Sequence, residues 1–419
     1  MSQWGVGPRT LYHGRRDGGA LLIHLWDSDI LLGVSATPIF DLEQDLPKPR
    51  SRPWSVWRNY ALLGSVGLLF SYWGPPPSHN ELAYLLPALY LGLVIHELGH
   101  AVTGKLAGLD VGGLCIGGFM LIRSGGRWMF RFSLRWLLNL GGFVVPLPAS
   151  HEFPQSRLAW SVAGGPIASF LLTAVCWLAV HRSGDGAGDW SRTLLWASMV
   201  FIVASVTPYS VQGMMSDGLV LWQLWRKPEF ARRLMNFLAL RAAEMKGIRP
   251  RDWDGKLMHE TLDTTEREAF YTLVQIYAWY WRVDEGNEIG ALEYLEKFLA
   301  SAGYGRSKAL KRSACQVAAA ASASTRNNPA QARVWMERAR KFGRPTAVES
   351  TEGIEARVAM IEGRYEGALA HWTAMRVHLN RRHGDSGIIR YLRDRIETGE
   401  TECRAAINRK SSTAAGARK

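Results

Sequence analysis

Four long apolar runs lie between residues 54 and 226 and restrict the fold more than any other feature of the sequence. A helix that crosses a lipid bilayer needs about 20 predominantly apolar residues. The run at residues 158–180 has 23 residues and no charged side chain, which is enough for one crossing. The sequence therefore predicts a mainly α, polytopic membrane protein with about four transmembrane helices. The predicted spans lie near residues 58–74, 82–106, 158–180 and 193–225.

The fourth run is longer than one straight crossing allows. It has 33 residues, from 193 to 225, and a single charged residue, Asp217. A straight helix of that length would extend about 50 Å, whereas the hydrocarbon core is about 30 Å thick. We therefore expect the helix to break between Pro208 and Gly213 and to resume near Asp217. Irregular backbone at membrane depth is tolerated only against protein or water, so the break indicates a functional site.

Lys and Arg residues cluster before the first span, after the second and after the fourth. Cytosolic loops carry such an excess, so we expect both termini in the cytosol of a bacterial cytoplasmic membrane protein. The same pattern accounts for the formal net charge of +13 without a nucleic-acid partner. The four cysteines are far apart and form no CxxC pair, which argues against a disulfide framework. Residues 1–53 are expected to be a cytosolic segment and residues 54–226 the membrane core.

Residues 96–100 have the sequence His-Glu-Leu-Gly-His and lie at the end of the second apolar run. Positions four apart share one face of a helix, so His96 and His100 can bind a single metal ion. Glu97 is placed to take a proton from the attacking water and pass it to the leaving amine. Three ionisable groups in five residues are costly at membrane depth unless they bind something. The alternative is a polar helix end that reaches the membrane surface without binding a metal.

A zinc site of this type needs a third protein ligand and one open position. Asp217 is the candidate, because it is the only charged residue in the fourth run. A buried carboxylate without a partner would be expensive at that depth. The alternative is a helix N-cap after the break, formed by Ser216 or Asp217, and the two roles are compatible.

Three sequence elements follow one another in the order found in the site-2 protease family of intramembrane metalloproteases. They are the HExxH sequence at residues 96–100, Ala-Gly-Gly-Pro at residues 163–166, and Pro208 followed by Asp217-Gly218. Residues 82–225 therefore resemble that family. The resemblance implies an endopeptidase that cleaves transmembrane or juxtamembrane segments of membrane proteins in the lipid bilayer.

The resemblance also implies a cofactor and a set of site residues. One Zn²⁺ per chain would be bound by His96, His100 and Asp217. Glu97 would be the catalytic acid and base.

Two serines depart from the family pattern, because Ser169 and Ser205 stand where the family usually has Asn. Those asparagines are thought to handle the substrate backbone. The alternative function is therefore a proteolytically inactive membrane scaffold whose helical domain recruits protein partners. A soluble zinc protease is a second alternative, against which the four apolar runs argue. Gly164 and Gly165 also admit two interpretations, since small residues often only permit close helix packing.

Apolar and polar residues alternate from residue 128 to residue 136, which is typical of a β-strand. The sequence Arg-Ser-Gly-Gly-Arg at residues 123–127 predicts a tight turn after the run at residues 119–122. We expect an interfacial β-hairpin with its apolar face towards lipid. Its exposed edge can bind an extended substrate through main-chain hydrogen bonds. The alternative is a purely structural hairpin.

Beyond residue 226 the sequence predicts a soluble helical domain at residues 227–410 and a disordered tail at residues 411–419. Three similar segments contain equivalent alanines, 41 and 36 residues apart: Ala291, Ala332 and Ala368. The spacing resembles tetratricopeptide-like helical hairpins, whose period is about 34 residues, and an ordinary helical bundle is the alternative. Such repeats present concave surfaces, so a protein partner would bind there.

Overall fold

The computed structural model describes residues 79–132, 141–150, 153–183, 188–211, 214–263, 271–303, 308–343, 348–382 and 384–416. Within these ranges the chain forms thirteen α-helices, a four-stranded sheet and a two-stranded sheet. The predicted mainly helical fold is therefore confirmed. The N-terminal segment at residues 1–53 and the predicted span near residues 58–74 lie outside the described ranges.

Three helices pack against one another in the predicted membrane core: α1 (His79–Leu106), α2 (Gln155–Ser183) and α3 (Asp189–Val206). Two of them are long and apolar enough to cross a membrane, over Ala83–Leu106 and Gln155–Arg182. Helix α3 has 18 residues, which is near the lower end of the lengths that cross a membrane. The described part of the chain therefore contains two candidate spans, and the predicted count of about four stays a prediction. Large apolar side chains are exposed on α2, as lipid contact requires: Trp160, Phe170, Leu171, Val175, Trp177 and Leu178.

An antiparallel sheet follows α1, with strands β1 (Leu109–Ile116), β2 (Phe119–Ser124), β3 (Arg127–Phe132) and β4 (Gly142–Pro148). Its strand order is β3-β2-β1-β4. Gly125 and Gly126 form the turn between β2 and β3 with φ angles of 56° and 81°, which glycine adopts without strain. The predicted hairpin is thus half of a larger sheet. Residues 133–136 of its predicted second strand lie outside the described ranges.

The fourth apolar run is interrupted, at the position where its length predicted a break. Helix α3 ends at Val206, and the two short strands β5 (Ser210–Val211) and β6 (Met214–Met215) pair with each other. Helix α4 (Asp217–Arg226) begins directly after them. The chain therefore turns back at this point instead of continuing as one long helix.

Nine further helices form the C-terminal helical domain. They are α5 (Pro228–Met245), α6 (Gly255–Leu262), α7 (Tyr271–Asp284), α8 (Glu288–Gly303), α9 (Lys308–Ser324), α10 (Pro329–Lys341), α11 (Val348–Ile361), α12 (Tyr365–Arg382) and α13 (Gly387–Gly416). A short 3₁₀ helix (Pro250–Asp252) lies between α5 and α6. Helix α13 continues to Gly416, so residues 411–416 are helical where the sequence predicted a disordered tail. Ala and Ser residues there extend the helix at little cost.

Three pairs of consecutive helices in this domain are helical hairpins: α7 with α8, α9 with α10, and α11 with α12. Ala291, Ala332 and Ala368 are each the fourth residue of the second helix of a pair, and each is fully buried. An alanine at this position lets the two helices of a pair approach closely. The three segments are therefore structurally equivalent, while their assignment to tetratricopeptide repeats stays a prediction.

The helical domain packs directly on the sheet. Helix α5 contacts β4, and a buried cluster joins Leu147 to Ala242 and Met245. The Gly125 N–H donates a hydrogen bond to the Met245 carbonyl oxygen (2.9 Å). A Cβ atom at Gly125 would overlap Asp385, so the turn between β2 and β3 fits tightly against the loop before α13. The sheet is thus held between the membrane helices and the helical domain.

Glu244 lies at this joint, on the last turn of α5, with no exposed surface. Burial raises the pKa of its carboxyl group to about 7, and the charge of Arg241 offsets only part of this effect. A raised pKa in the folded state means that stability falls as the pH rises from about 4.5 through 7.

We predict that Glu244→Gln raises the free energy of unfolding at pH 8 by about 3 kcal/mol and changes it little at pH 5. Thermal unfolding of the detergent-solubilised protein at both pH values measures this. Glu400→Gln is the control, because Glu400 is buried but pairs with Arg376 (3.1 Å) and Arg404 (2.8 Å), and we expect it to lose stability. Equal effects of Glu244→Gln at pH 5 and pH 8 would contradict the prediction.

Candidate metal centre

His96, His100 and Asp217 converge although 117 residues separate His100 from Asp217 in the chain (217 − 100). The Nε2 atoms of the two imidazoles are 3.2 Å apart. Asp217 Oδ2 lies 3.2 Å from His96 Nε2, and Asp217 Oδ1 lies 3.5 Å from His100 Nε2. The sequence-predicted ligand set is therefore brought together in space.

Local geometry places each of the three groups. The two histidines are four residues apart on α1, so they share one face. Ser216 is the N-cap of α4, because its hydroxyl accepts a hydrogen bond from Leu219 N (3.2 Å). The Ser216 hydroxyl also donates to Thr207 O (2.6 Å), which ties the start of α4 to the end of α3. Asp217 is thus left as the first residue of the helix, with its carboxylate directed at the imidazoles.

Each imidazole has a partner for its other nitrogen. His96 Nδ1 lies 2.9 Å from Ser169 Oγ, and His100 Nδ1 lies 2.9 Å from the Ser161 carbonyl oxygen. A carbonyl oxygen only accepts, so the Ser161 contact favours the His100 tautomer with the proton on Nδ1 and a free lone pair on Nε2, whereas the Gly165 N–H, 3.2 Å from the same Nδ1, favours the other tautomer. Metal binding through Nε2 requires the first tautomer. The same tautomer of His96 is obtained when Nδ1 donates to the serine hydroxyl. Both Nε2 lone pairs then face Asp217 and each other.

This donor set fits a metal ion. Two imidazole lone pairs and a carboxylate at 3.2–3.5 Å repel one another unless a proton or a metal cation lies between them. Zinc has bond lengths of about 2.0–2.1 Å to such ligands, which separates tetrahedral ligand atoms by about 3.3 Å. The observed separations match that value.

Glu97 is buried beside the two histidines, with 4 % of its surface exposed. Within the described residues, its Oε2 atom has no hydrogen-bond partner. A Cβ atom on Gly142 would lie 2.5 Å from Glu97 Oε1, so the start of β4 passes directly over this carboxylate. A buried carboxylate oxygen without a hydrogen-bond partner costs free energy unless water or a substrate group donates a hydrogen bond to it.

Residues 84–375 of the chain match peptidase family M50. The match covers well over half of the chain and includes the HExxH helix and Asp217. The chain belongs to peptidase family M50. This is the site-2 protease family, so the resemblance that the motifs indicated is confirmed. No curated protein and no solved structure matches the chain.

As a member of family M50, the chain is classed as a membrane-embedded metalloprotease, which is a hydrolase of peptide bonds. M50 peptidases are zinc-dependent integral membrane proteins. The group of His96, His100 and Asp217 can hold the metal, and the two apolar helices of the membrane core agree with a membrane location.

Glycines let the two membrane helices of this M50 peptidase approach closely. A Cβ atom on Gly99 would lie 2.5 Å from Ala168 Cβ, and one on Gly164 would overlap Thr103. A Cβ atom on Gly165 would overlap the Nε2 atoms of both histidines. The packing interpretation of these glycines therefore holds, and Gly165 in addition leaves the space in which a metal would be bound.

Sequence reasoning missed some neighbours of the site. Phe201 on α3 stacks on the His96 ring, with 6.0 Å between ring centroids, and Gly92 provides the space for it. Ser161 contacts the His100 ring through its carbonyl oxygen, which no side-chain pattern reveals. Ser205 donates its hydroxyl to Ile202 O (3.2 Å) within its own helix.

We predict that Gly165→Ala abolishes stoichiometric metal binding, because the added methyl group occupies the space beside both Nε2 atoms. Metal content of the purified protein by mass spectrometry measures this, and circular dichroism tests whether the helices are retained. Gly367→Ala on α12 is the matched control, since the nearest atom to its new Cβ is 3.8 Å away. Full metal content in Gly165→Ala would contradict the geometry.

Proposed function

We propose that the protein is a zinc-dependent intramembrane endopeptidase that cleaves transmembrane or juxtamembrane segments of membrane proteins. The observation that carries the proposal is the convergence of His96, His100 and Asp217 beside the buried carboxylate of Glu97. An inactive scaffold would have no need of a buried carboxylate whose Oε2 has no hydrogen-bond partner among the described residues, so catalysis is the better account of Glu97.

His96, His100 and Asp217 would hold one Zn²⁺. When bound, zinc polarises the scissile carbonyl group and makes water a stronger nucleophile. Glu97 takes the proton of the attacking water on its unpartnered Oε2 atom and transfers it to the leaving amine. Asp217 and the two imidazoles keep their positions during this transfer, because Ser216, Ser169 and the Ser161 carbonyl hold them.

The depth of the site supports an intramembrane reaction. His96 follows Ala83, the first residue of the apolar segment of α1, by 13 residues (96 − 83). At about 1.5 Å per residue, this places the site about 20 Å along the helix from that end, within a hydrocarbon core of about 30 Å. A substrate helix must unwind to be cleaved there, because its own hydrogen bonds shield the scissile carbonyl group.

The outer edge of β4 is suited to hold the unwound substrate. Gly117 N donates to Gly141 O (3.0 Å), and antiparallel residues alternate between hydrogen-bonded and non-hydrogen-bonded pairs. Gly117 and Gly141 form a hydrogen-bonded pair, so Gly142 and Val144 lie in non-hydrogen-bonded pairs. Their N–H and C=O groups therefore point away from β1. No other described strand pairs with that edge. A substrate in extended form would add as a further strand and pass next to Glu97, which Gly142 contacts.

The prolines of β4 agree with this assignment. Pro146 and Pro148 alternate with the residues that bond to β1, so their missing N–H groups lie on the outer side. The hairpin strand that the sequence indicated, β3, forms the opposite edge of the sheet. Two strands separate it from β4, a distance of about 14 Å. The edge near the catalytic carboxylate is therefore β4 and not β3.

One face of the hairpin would contact lipid. Phe119 pairs with Phe132 and Leu121 pairs with Phe130, so these side chains share one face with Trp128, and all five are exposed. The Phe119 and Phe132 rings contact each other at 5.1 Å between centroids. Exposed aromatic residues of this kind favour the membrane interface.

We predict that Glu97→Gln keeps its zinc and lowers the rate of cleavage by about 10²–10⁴-fold, because the amide cannot take up the proton. Zinc content and cleavage of a labelled transmembrane segment in proteoliposomes measure the two effects separately. Glu366→Gln, the same change on an exposed position of α12, should cleave at the wild-type rate. Zinc in all proteins with no cleavage by the wild type would favour the scaffold instead.

We also predict that Val144→Pro slows cleavage about fivefold to tenfold without loss of zinc, because it removes one outward N–H group worth about 1 kcal/mol. Phe130→Pro makes the same change at the opposite edge of the sheet. Ser124 and Arg127 are the hydrogen-bonded pair that closes the two-residue turn, so by alternation the Phe130 N–H points away from β2. Cleavage rates and zinc contents of both variants decide between the edges. Slower cleavage only in Phe130→Pro would assign the substrate to β3.

A further inference from the structure

Helix α2 presents one residue in each of three successive turns to the two imidazole rings. Ser161, Gly165 and Ser169 are four residues apart and therefore lie on one face. Ser161 accepts from His100 through its carbonyl oxygen, Gly165 leaves the space beside both Nε2 atoms, and Ser169 contacts His96. Among these three residues, only Ser169 contacts an imidazole nitrogen through its side chain, since the Ser161 hydroxyl donates to the His100 backbone oxygen (3.4 Å).

The Ser169 hydroxyl lies 2.9 Å from His96 Nδ1, and both residues are buried, with 1 % and 6 % of their surfaces exposed. A histidine that binds a metal through Nε2 carries its proton on Nδ1, and that N–H needs an acceptor when water cannot reach it. Ser169 Oγ is in the position to be that acceptor. His100 has a backbone carbonyl in the same role, which no substitution removes.

The Ser169 hydroxyl differs from three other hydroxyl groups of the membrane helices, those of Thr173, Ser198 and Ser205. Hydroxyl groups inside helices commonly donate to a carbonyl oxygen of the preceding turn. Thr173, Ser198 and Ser205 do so, with partners Ser169 O (2.9 Å), Leu195 O (2.8 Å) and Ile202 O (3.2 Å). Ser169 Oγ instead lies across the helix interface, 2.9 Å from His96 Nδ1, where it can accept the proton of that nitrogen.

We infer that Ser169 is a positioning residue of the metal centre, whose hydroxyl holds the His96 imidazole in the tautomer and orientation that the metal requires. Phe201 fixes the same ring by stacking on its face, at 6.0 Å between centroids. The inference rests on the proposed zinc site. It also differs from a role in handling the substrate backbone, because a residue with that role would leave the affinity for zinc unchanged.

The test is the zinc affinity of the purified full-length protein, measured by competition with a chelator, for the wild type, Ser169→Ala, Ser169→Thr and Ser169→Asn. Loss of a hydrogen bond to a ligating histidine lowers metal affinity about 10–100-fold. We expect that loss in Ser169→Ala, and recovery in at least one of the other two variants, since Thr keeps the hydroxyl and Asn offers a carbonyl oxygen. The d–d absorption bands of the Co²⁺-substituted protein should shift in Ser169→Ala, because the geometry of the bound metal changes.

Ser198→Ala is the matched control, because it removes a fully buried hydroxyl from the neighbouring helix that bonds Leu195 O and Thr173. It should bind zinc with wild-type affinity. Unchanged affinity and unchanged Co²⁺ bands in Ser169→Ala would overturn the inference, as would an equal loss in Ser198→Ala or a failure of both Thr and Asn to restore affinity. Absence of zinc from the wild type would instead refute the proposed function, so the two failures are distinguishable.

Discussion

The close approach of α1 and α2 is the contact on which the metal centre depends. Gly99 and Gly164 lie where the helices cross, and neither position has room for a side chain. A crossing this tight brings Gly165 next to both imidazoles and brings Ser169 within hydrogen-bond distance of His96. Within a membrane, where burial of apolar surface gains little, small residues at the crossing are the usual means to such packing. The same glycines therefore stabilise the helix pair and bring His96 and His100 close to their hydrogen-bond partners on α2.

The break after α3 brings the Asp217 carboxylate to membrane depth from a distant part of the chain. Ser216 ties the start of α4 to the end of α3 through Thr207 O, and Gly218 allows the two helix ends to come close, since a Cβ atom there would overlap Val206. In the described part of this non-helical segment, Tyr209 N donates to Ser216 Oγ (3.1 Å) and Ser216 N donates to Tyr209 O (3.0 Å), as backbone at membrane depth requires. Asp217 thus reaches the histidines from a rigid helix start.

The sheet connects the metal centre to the helical domain. Its β4 edge begins at Gly142, directly over Glu97, and its β2–β3 turn is bonded to Met245 at the end of α5. On α1, Tyr90 donates to Ile116 O (3.0 Å) and holds the turn between β1 and β2. The sheet is therefore attached at both ends to elements outside itself. Strand β4, which lies over the Glu97 carboxylate, is therefore in direct contact with helix α5 of the helical domain.

The sequence by itself determined the two apolar helices α1 and α2, the HExxH pair, the break and Asp217, because each follows from a local property: run length, helical periodicity or a single charge in an apolar run. It also indicated the equivalent alanines of the helical hairpins. It did not predict β4, whose prolines are atypical of a strand, nor the role of Ser169. Those features depend on which atoms from distant segments come together. Only the tertiary structure decides that, since hydrogen-bond partners across a helix crossing or a sheet edge leave no periodic signal in the chain.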